Sequence, residues 1–432
     1  MIQRPQTVPF RYEITCPHCW TVFPTENILW VAESPELIGD TRLGQLEKTR
    51  FLPNGFTPEG YALDIKGFEC RKLACPHCHL IIPRCFLEMP PFFVSIAGAP
   101  SSGKSYFLSS MTWNLRRNAP KYFSMSFSDA DAELNTRLLE YEDKLFSGSP
   151  GKLVQLNKTE LQGDLYNEIN LDGQNITYPK PFIFSFCPTP SHQNIQRKTK
   201  ISLAVSLYDN AGESYLPSDG DNASLPVTRH LGMSNCIFFL FDPIQDNRFR
   251  ELCSSQGTDP QWKSGNSQDF RWTPLRQETV LSEMINRTRA YRHMSSTDQY
   301  QNPLFVIITK FDAWKQFFPD VPDRNLWAKT QKYGYVLLKD QIEDLSQRIR
   351  KLFLKIIPQF VGTLEQFAKD ITYIPVSATG GPPIQDPATK TWGFNVKNIK
   401  SQWTDLPLLY AIAKMNRGMI PMIEEKKDSV SQ

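Results

Sequence analysis

Five apolar runs divide the chain: "PFFVSIAG" (Pro91–Gly98), "ISLAVSLY" (Ile201–Tyr208), "CIFFLF" (Cys236–Phe241), "NPLFVII" (Asn302–Ile308) and "ITYIPV" (Ile371–Val376). Each is short, has no polar face and ends in a turn, the pattern of a strand buried on both sides of a sheet. Between the runs, apolar positions recur every three or four residues. Phe107, Leu108, Met111 and Leu115 follow the first run, and Leu338, Ile342, Leu345, Ile349, Leu352 and Ile356 mark a long amphipathic helix before the last. "DLPLLYAIAKM" (Asp405–Met415) predicts a closing helix. A further stripe, Leu134, Leu138, Tyr141 and Leu145, fits either core packing or a partner groove, and packing is favoured. Buried strands alternating with helices predict an α/β domain.

At 432 residues, 40% of them hydrophobic, the chain can bury one large core and still supply a smaller module. The net charge of +3 comes without a dense basic stripe, which argues against nucleic acid or an anionic membrane as partner. The opening "MIQRPQTVPFRYEITCP" lacks the apolar core of a signal peptide, and the apolar runs are too short to cross a bilayer. A cytoplasmic protein is therefore expected, and its nine cysteines then favour metal ligation or buried thiols over disulfides.

Six of the nine fall between Cys16 and Cys85, and four of these form two copies of "CPHC", Cys16 to Cys19 and Cys75 to Cys78. A Cys-x-x-Cys turn presents two thiolates on one side of a tight loop, so two such turns can close a tetrahedron around Zn²⁺. The alternative is four buried or redox thiols. His18 and His77, inside the turns, read as outward-facing knuckle residues, with Cys70, His79 and Cys85 as reserve ligands. The pattern predicts a zinc-ribbon module over residues 1–90. Such a ribbon can bind nucleic acid, bind protein or brace a neighbour; the short join "LEMPP" (Leu87–Pro91) favours the last two.

The run after the join, "PFFVSIAGAPSSGKSYF", reads as strand, glycine-rich turn and helix. Gly98, Ala99, Pro100, Ser101, Ser102 and Gly103 form a loop whose N–H groups can point at phosphate. Lys104 can reach the β- and γ-phosphates, Ser105 can ligate Mg²⁺, and Tyr106 continues the helix. The base is read further on. Thr309, Lys310 and Asp312 in "TKFD" end a strand; a carboxylate there accepts from guanine N1–H and the 2-amino group, which adenine lacks, while Lys310 can cover the base plane. Ser377 and Ala378 in "SAT" end another strand, where a backbone N–H can meet guanine O6. In "SLYDNAGES", Asp209 and Gly212 stand between these motifs: Asp209 would hold Mg²⁺ through water and the Gly212 N–H would meet the γ-phosphate. GTP or GDP with Mg²⁺ is the expected ligand.

On these motifs the chain resembles a TRAFAC-class, Ras-like GTPase carrying an N-terminal zinc ribbon, and its layout is similar to the bacterial double-GTPase group linked to conflict systems. The resemblance implies a P-loop GTPase domain over residues 91–418, with about six strands in a mostly parallel sheet and helices on both faces. It leaves 419–432 as a disordered tail. The stretch from about 120 to 195 is then a large switch I insertion, and about 253–272 a polar insertion that suits a partner surface or a solvated loop. A threonine from the first insertion should close over Mg²⁺ and the γ-phosphate. Thr177 is chosen because it precedes a strand able to pair with "ISLAVSLY", and Thr189 and Thr199 stay open.

Glu213 occupies the slot where many relatives place the glutamine that orients the attacking water. A carboxylate about 5 Å from a phosphate charge would be repelled by about 3 kcal/mol per unit charge at an effective dielectric near 20. It points away, or is protonated, or takes the proton of the water beside a cation. The first is favoured, and it implies slow GTP hydrolysis completed by a protein partner, a second GTPase or an oligomer. Two other functions stay in view: a nucleotide- and zinc-stabilised scaffold without turnover, and a P-loop ATPase with a nucleic-acid-binding ribbon, which "TKFD" and the weak charge disfavour.

Overall fold

The computed structural model describes residues 10–148, 153–156, 166–209, 226–253, 277–387 and 389–424. Its centre is a sheet of seven strands: β1 (Pro91–Gly98), β2 (Met125–Asp129), β3 (Phe182–Pro188), β4 (Leu203–Asp209), β5 (Cys236–Phe241), β6 (Leu304–Ile308) and β7 (Ile371–Pro375), in the order β2-β3-β4-β1-β5-β6-β7. β1 pairs in parallel with β4 (Pro91 opposite Ala204) and with β5 (Val94 opposite Cys236), and β5, β6 and β7 continue in parallel. β3 runs antiparallel to both its neighbours. The all-apolar runs become these central strands because both of their faces are covered.

Seven strands stand where six were expected. The addition is β2, whose "MSFSD" alternates buried and exposed positions too briefly to stand out. It sits at the sheet edge, inside the insertion, which also starts later than expected because helix α1 (Lys104–Phe123) runs on past residue 120.

Phe107, Leu108, Met111, Leu115 and Ala119 of α1 bury against the sheet. Helix α2 (Ala132–Glu142) follows β2, capped by the Asp131 carboxylate accepting from the Glu133 and Leu134 amides. Its Leu138 and Tyr141 are buried, the packing role favoured for that stripe. Helices α3 (Gln277–Arg292), α4 (Lys339–Ile356), α5 (Pro358–Phe367) and α6 (Leu406–Met415) complete the large core. Along α4 the buried stripe is Ile342, Leu345, Ile349 and Phe353, so the predicted periodicity holds but swings from Leu352 to Phe353 at its end. The chain beyond α6 is ordered further than expected: Met419 and Ile420 are buried, and Met422–Ile423 pairs in parallel with Gly334–Leu338. Residues 425–432 lie outside the described residues.

The N-terminal module is built from short strands, the largest unit being a four-stranded sheet of Ile81–Ile82, Leu73–Ala74, Leu29–Val31 and Arg50–Phe51. It does not stand apart. Alternation along β4 sends Leu203, Val205 and Leu207 into the main core, and Ala204 and Tyr208 to the opposite face. There they join Phe93 and Ile183, Ile169 and Tyr178 of a hairpin formed by Tyr166–Leu171 and Gln174–Pro179, and the module's Ile14, Trp20, Phe23 and Phe86 in one apolar cluster. The module thus covers the β3–β4–β1 side of the sheet. No helix among the described residues is long and apolar enough to cross a membrane.

Candidate nucleotide site and candidate metal centre

Parallel pairing brings the C-terminal ends of β4, β1, β5, β6 and β7 to one edge of the sheet, where ligands collect in α/β folds. β1 ends in the glycine-rich loop. A Cβ on Gly98 would lie 2.8 Å from the Leu240 carbonyl oxygen and 3.0 Å from Ser102 Oγ, so only glycine lets the loop pass this close to β5. Gly103, at φ +90°, turns the chain into α1 through the left-handed region. The Lys104 ammonium, buried, donates to the carbonyls of Gly98 and Ala99 at 3.0 Å each. Ser102 Oγ is buried without a hydrogen-bond partner among the described residues.

Asp209, at the end of β4, is 6% exposed, and its Oδ1 has no hydrogen-bond partner among the described residues. Burial pushes its carboxyl up to about 6, while the charges of Lys104 and Arg137 pull the other way. A buried carboxylate oxygen left unpaired beside a phosphate-type loop suits a cation ligand. Asp209 thus offers a donor fit for Mg²⁺.

Of the residues expected to read the base, Thr309 touches the same loop. Thr309 Oγ1 donates to the Ser102 carbonyl at 3.1 Å and to that of Phe241 at 3.3 Å, tying the end of β6 to the phosphate loop. Lys310, in the left-handed region at φ 55°, pairs its ammonium with Asp242 Oδ2 at 2.8 Å. The Ser377 hydroxyl donates to Asp312 Oδ1 and accepts from the Gly380 amide at 2.9 Å. The Ala378 carbonyl accepts from Ser110 on α1 at 3.2 Å.

Asp242 escaped sequence reasoning. It is fully buried after β5, its main chain is bracketed by the Gln277 carboxamide at 2.7 and 2.8 Å, and it anchors Lys310. The signal was available, since "CIFFLFDP" ends a buried strand in an acid at the ligand edge.

Gly212 and Glu213 lie outside the described residues. Thr177 sits in a hairpin of Tyr166–Leu171 and Gln174–Pro179, opposite Glu168, and no side-chain hydrogen bond among the described residues links it to the phosphate loop. The other two candidates are on the wrong side of the sheet. Thr189 follows the end of antiparallel β3, with its hydroxyl on the Ser124 carbonyl at 3.0 Å, and Thr199 precedes β4 in Ile195–Lys200.

In the N-terminal module the Sγ atoms of Cys16, Cys19, Cys75 and Cys78 all lie within 4.8 Å of one another, all four residues buried. The Cys16–Cys78 and Cys19–Cys75 separations are both 3.7 Å. A tetrahedron with metal–sulfur bonds of about 2.3 Å has edges of about 3.8 Å, so the set fits Zn²⁺. The two turns are copies in space as in sequence. In each, the residue after the second cysteine, Trp20 or His79, has a positive φ and returns its amide to the first cysteine's carbonyl, at 3.1 and 3.0 Å. The amides of His18 and His77 donate to Cys16 and Cys75 sulfur at 3.4 and 3.3 Å. Burial raises the Cys16 and Cys78 thiols, whereas hydrogen bonds from the neighbouring cysteines lower that of Cys19; a bound cation would favour the thiolate form of the set.

His77 faces solvent as expected, but His18 does not: it is 1% exposed and its Nε2 meets the Ile81 carbonyl at 2.9 Å. This knuckle is the one turned toward the sheet. The reserve ligands are engaged elsewhere, His79 with Asp40 at 2.8 Å and Cys70 beside Asp64, and neither they nor Cys85 joins the cluster.

No protein-family model matches the chain, and no curated protein matches it. Among solved structures, the crystal structure of Era in complex with MgGDPNP and nucleotides 1506–1542 of 16S ribosomal RNA matches at a TM-score of 0.22 and 12% identity, over 68% of this chain and 53% of that one. The match spans about half of that chain's length.

Proposed function

We propose that this chain is a guanine-nucleotide switch that binds GTP and GDP with Mg²⁺ at the C-terminal edge of its sheet and hydrolyses GTP slowly. The observation that carries the reading is the hydrogen bond from Thr309 to the Ser102 carbonyl at 3.1 Å, which holds the Thr309–Lys310–Asp312 turn against the phosphate loop. A nucleotide lying across both would meet loop amides at its phosphates and the Asp312 carboxylate at its base.

Ser105 and Asp209 would hold Mg²⁺, which when bound neutralises phosphate charge. Lys104, which donates to two loop carbonyls, would exchange these for phosphate oxygens. Ser377, bonded to Asp312, fixes the orientation of the carboxylate before guanine arrives. Cys16, Cys19, Cys75 and Cys78 would hold one Zn²⁺, and the ribbon braces the sheet. A protein partner, a second GTPase included, would complete the site for faster turnover.

The test is nucleotide identity. Protein purified gently should release GDP or GTP detectable by mass spectrometry, and a fluorescent GDP on the site should be displaced by GTP and not by ATP. Equal displacement by both would overturn the reading. Phosphate release from GTP separates a switch from a scaffold without turnover.

A further inference from the structure

The geometry points to Arg137, on α2, as the cation that the chain itself supplies to the transferred phosphoryl group. The inference rests on the GTP reading above and names a residue for the reaction at that same site.

Three observations position Arg137. β2 runs in the same direction as β4, with Asp129 opposite Phe184 and Phe184 opposite Val205, so the chain leaves β2 heading for the edge that carries Asp209. The first turns of α2 are then pinned at that edge. The Asn135 carboxamide accepts from the Ile183 amide and donates to its carbonyl, both at 2.9 Å, and Ile183 lies opposite Ser206 on β4. Finally, Arg137 Nε donates to the Tyr141 hydroxyl at 2.8 Å. Tyr141 packs with Leu145 and Leu156 in a small cluster that also takes in Tyr106, the residue after Ser105, whose hydroxyl accepts from the Leu156 amide at 3.0 Å.

Arg137 is therefore held, half-buried, between the ends of β4 and α1. Lys104 lies against the loop carbonyls. Asp209 Oδ1, unpaired among the described residues, lies at that same end of β4.

In GTP hydrolysis, water attacks the γ-phosphorus and the bond from it to the bridging oxygen breaks. GDP leaves with the electron pair, and the water's proton ends on inorganic phosphate. Negative charge shifts toward the bridging and γ-oxygens in the transition state, and a fixed guanidinium there stabilises it more than the ground state. The Tyr141 hydroxyl positions that guanidinium through Nε.

The experiment compares wild type, Arg137→Ala and Arg137→Lys in single-turnover GTP hydrolysis at saturating Mg²⁺, with fluorescent GDP and GTP-analogue affinity and aluminium fluoride capture on GDP measured in parallel. Arg137→Ala should slow hydrolysis by about a hundredfold or more with nucleotide affinity little changed. It should lose aluminium fluoride capture, and Arg137→Lys should recover part of both. Melting curves of the variants matching wild type would separate this from a packing defect, which would not spare nucleotide affinity while abolishing capture. Hydrolysis by Arg137→Ala at the wild-type rate overturns the inference alone, as does a fall in affinity as large as the fall in rate. A wild type that binds guanine nucleotide but never turns it over also overturns it. A wild type that does not bind guanine nucleotide overturns the GTP reading first.

Discussion

Asp312 shows how much one side chain is asked to do at this site. Its carboxylate already accepts from the Ser377 hydroxyl, which in turn accepts from the Gly380 amide, so its orientation is set before any base arrives. If it reads the two guanine donors, Asp312→Asn loses charge-assisted bonds worth about 1.5–3 kcal/mol, or about tenfold to a hundredfold in GTP affinity. The amide offers a donor where xanthine presents an acceptor, so affinity for xanthosine triphosphate should rise in the same variant. Competition binding with the two nucleotides measures both, and unchanged GTP affinity would remove Asp312 from the base site. Residues of this kind were legible from sequence because glycine, lysine and acid at fixed spacing after a buried strand have few other uses. Asp242 carries a weaker signal, since one acid after one buried strand is ordinary until Lys310 is seen beside it.

The elements were legible where burial is two-sided and obscure where it is not. β1, β4, β5, β6 and β7 announce themselves as unbroken apolar runs, whereas edge strand β2 and the hairpin of Tyr166–Leu171 with Gln174–Pro179 are half polar and read as loop. His18 was misjudged for a related reason: a knuckle is solvent-facing unless another element covers it, and here β4 does. The contact is specific. Trp20 Nε1 donates to the Tyr208 hydroxyl at 3.1 Å, that hydroxyl donates to the Pro17 carbonyl at 2.6 Å, and the Tyr208 ring stacks on His230 at 5.0 Å. Tyr208 immediately precedes Asp209, so the first zinc knuckle grips the strand just short of the residue assigned to Mg²⁺. Tyr208→Phe keeps the ring and removes only the hydroxyl, leaving the Trp20 indole N–H and the Pro17 carbonyl without it in a buried place. The cost should be about 1–3 kcal/mol. It should appear as a lower melting temperature, and as weaker Mg²⁺-dependent nucleotide binding than the melting change alone produces in a control variant remote from β4. A variant that melts like wild type and binds nucleotide equally well would mean the grip is dispensable.

At the scale of the whole molecule, the covalent boundary at Pro91 is not a boundary in the packing. Cys16, Cys19, Cys75 and Cys78 belong to the same apolar cluster as Phe93, Ile183, Ala204 and Tyr208, which are strand residues of the central sheet. A ribbon that folded on its own would melt on its own. This one presents its knuckle to the sheet, where it shares the cover of the β3–β4–β1 side with the hairpin residues Ile169 and Tyr178 and with His230. Zinc affinity in such modules is folding free energy, because the ligand set does not exist in the unfolded chain. Removing the metal with a strong chelator should therefore lower the stability of the sheet as well as of the module. In a chain of 432 residues each kcal/mol lost shifts the melting point by only about 1 °C. Elemental analysis should first find one zinc per chain, lost in the Cys16→Ser variant. Hydrogen exchange, followed by peptide, should then show β4 and β1 amides losing protection together with the cysteine turns as the metal leaves. If the cysteine turns open while β4 keeps its full protection and the main melting transition does not move, the module is an appended domain and the shared cluster contributes nothing to the sheet. If both give way together, the metal centre is part of the framework that holds Asp209 in place.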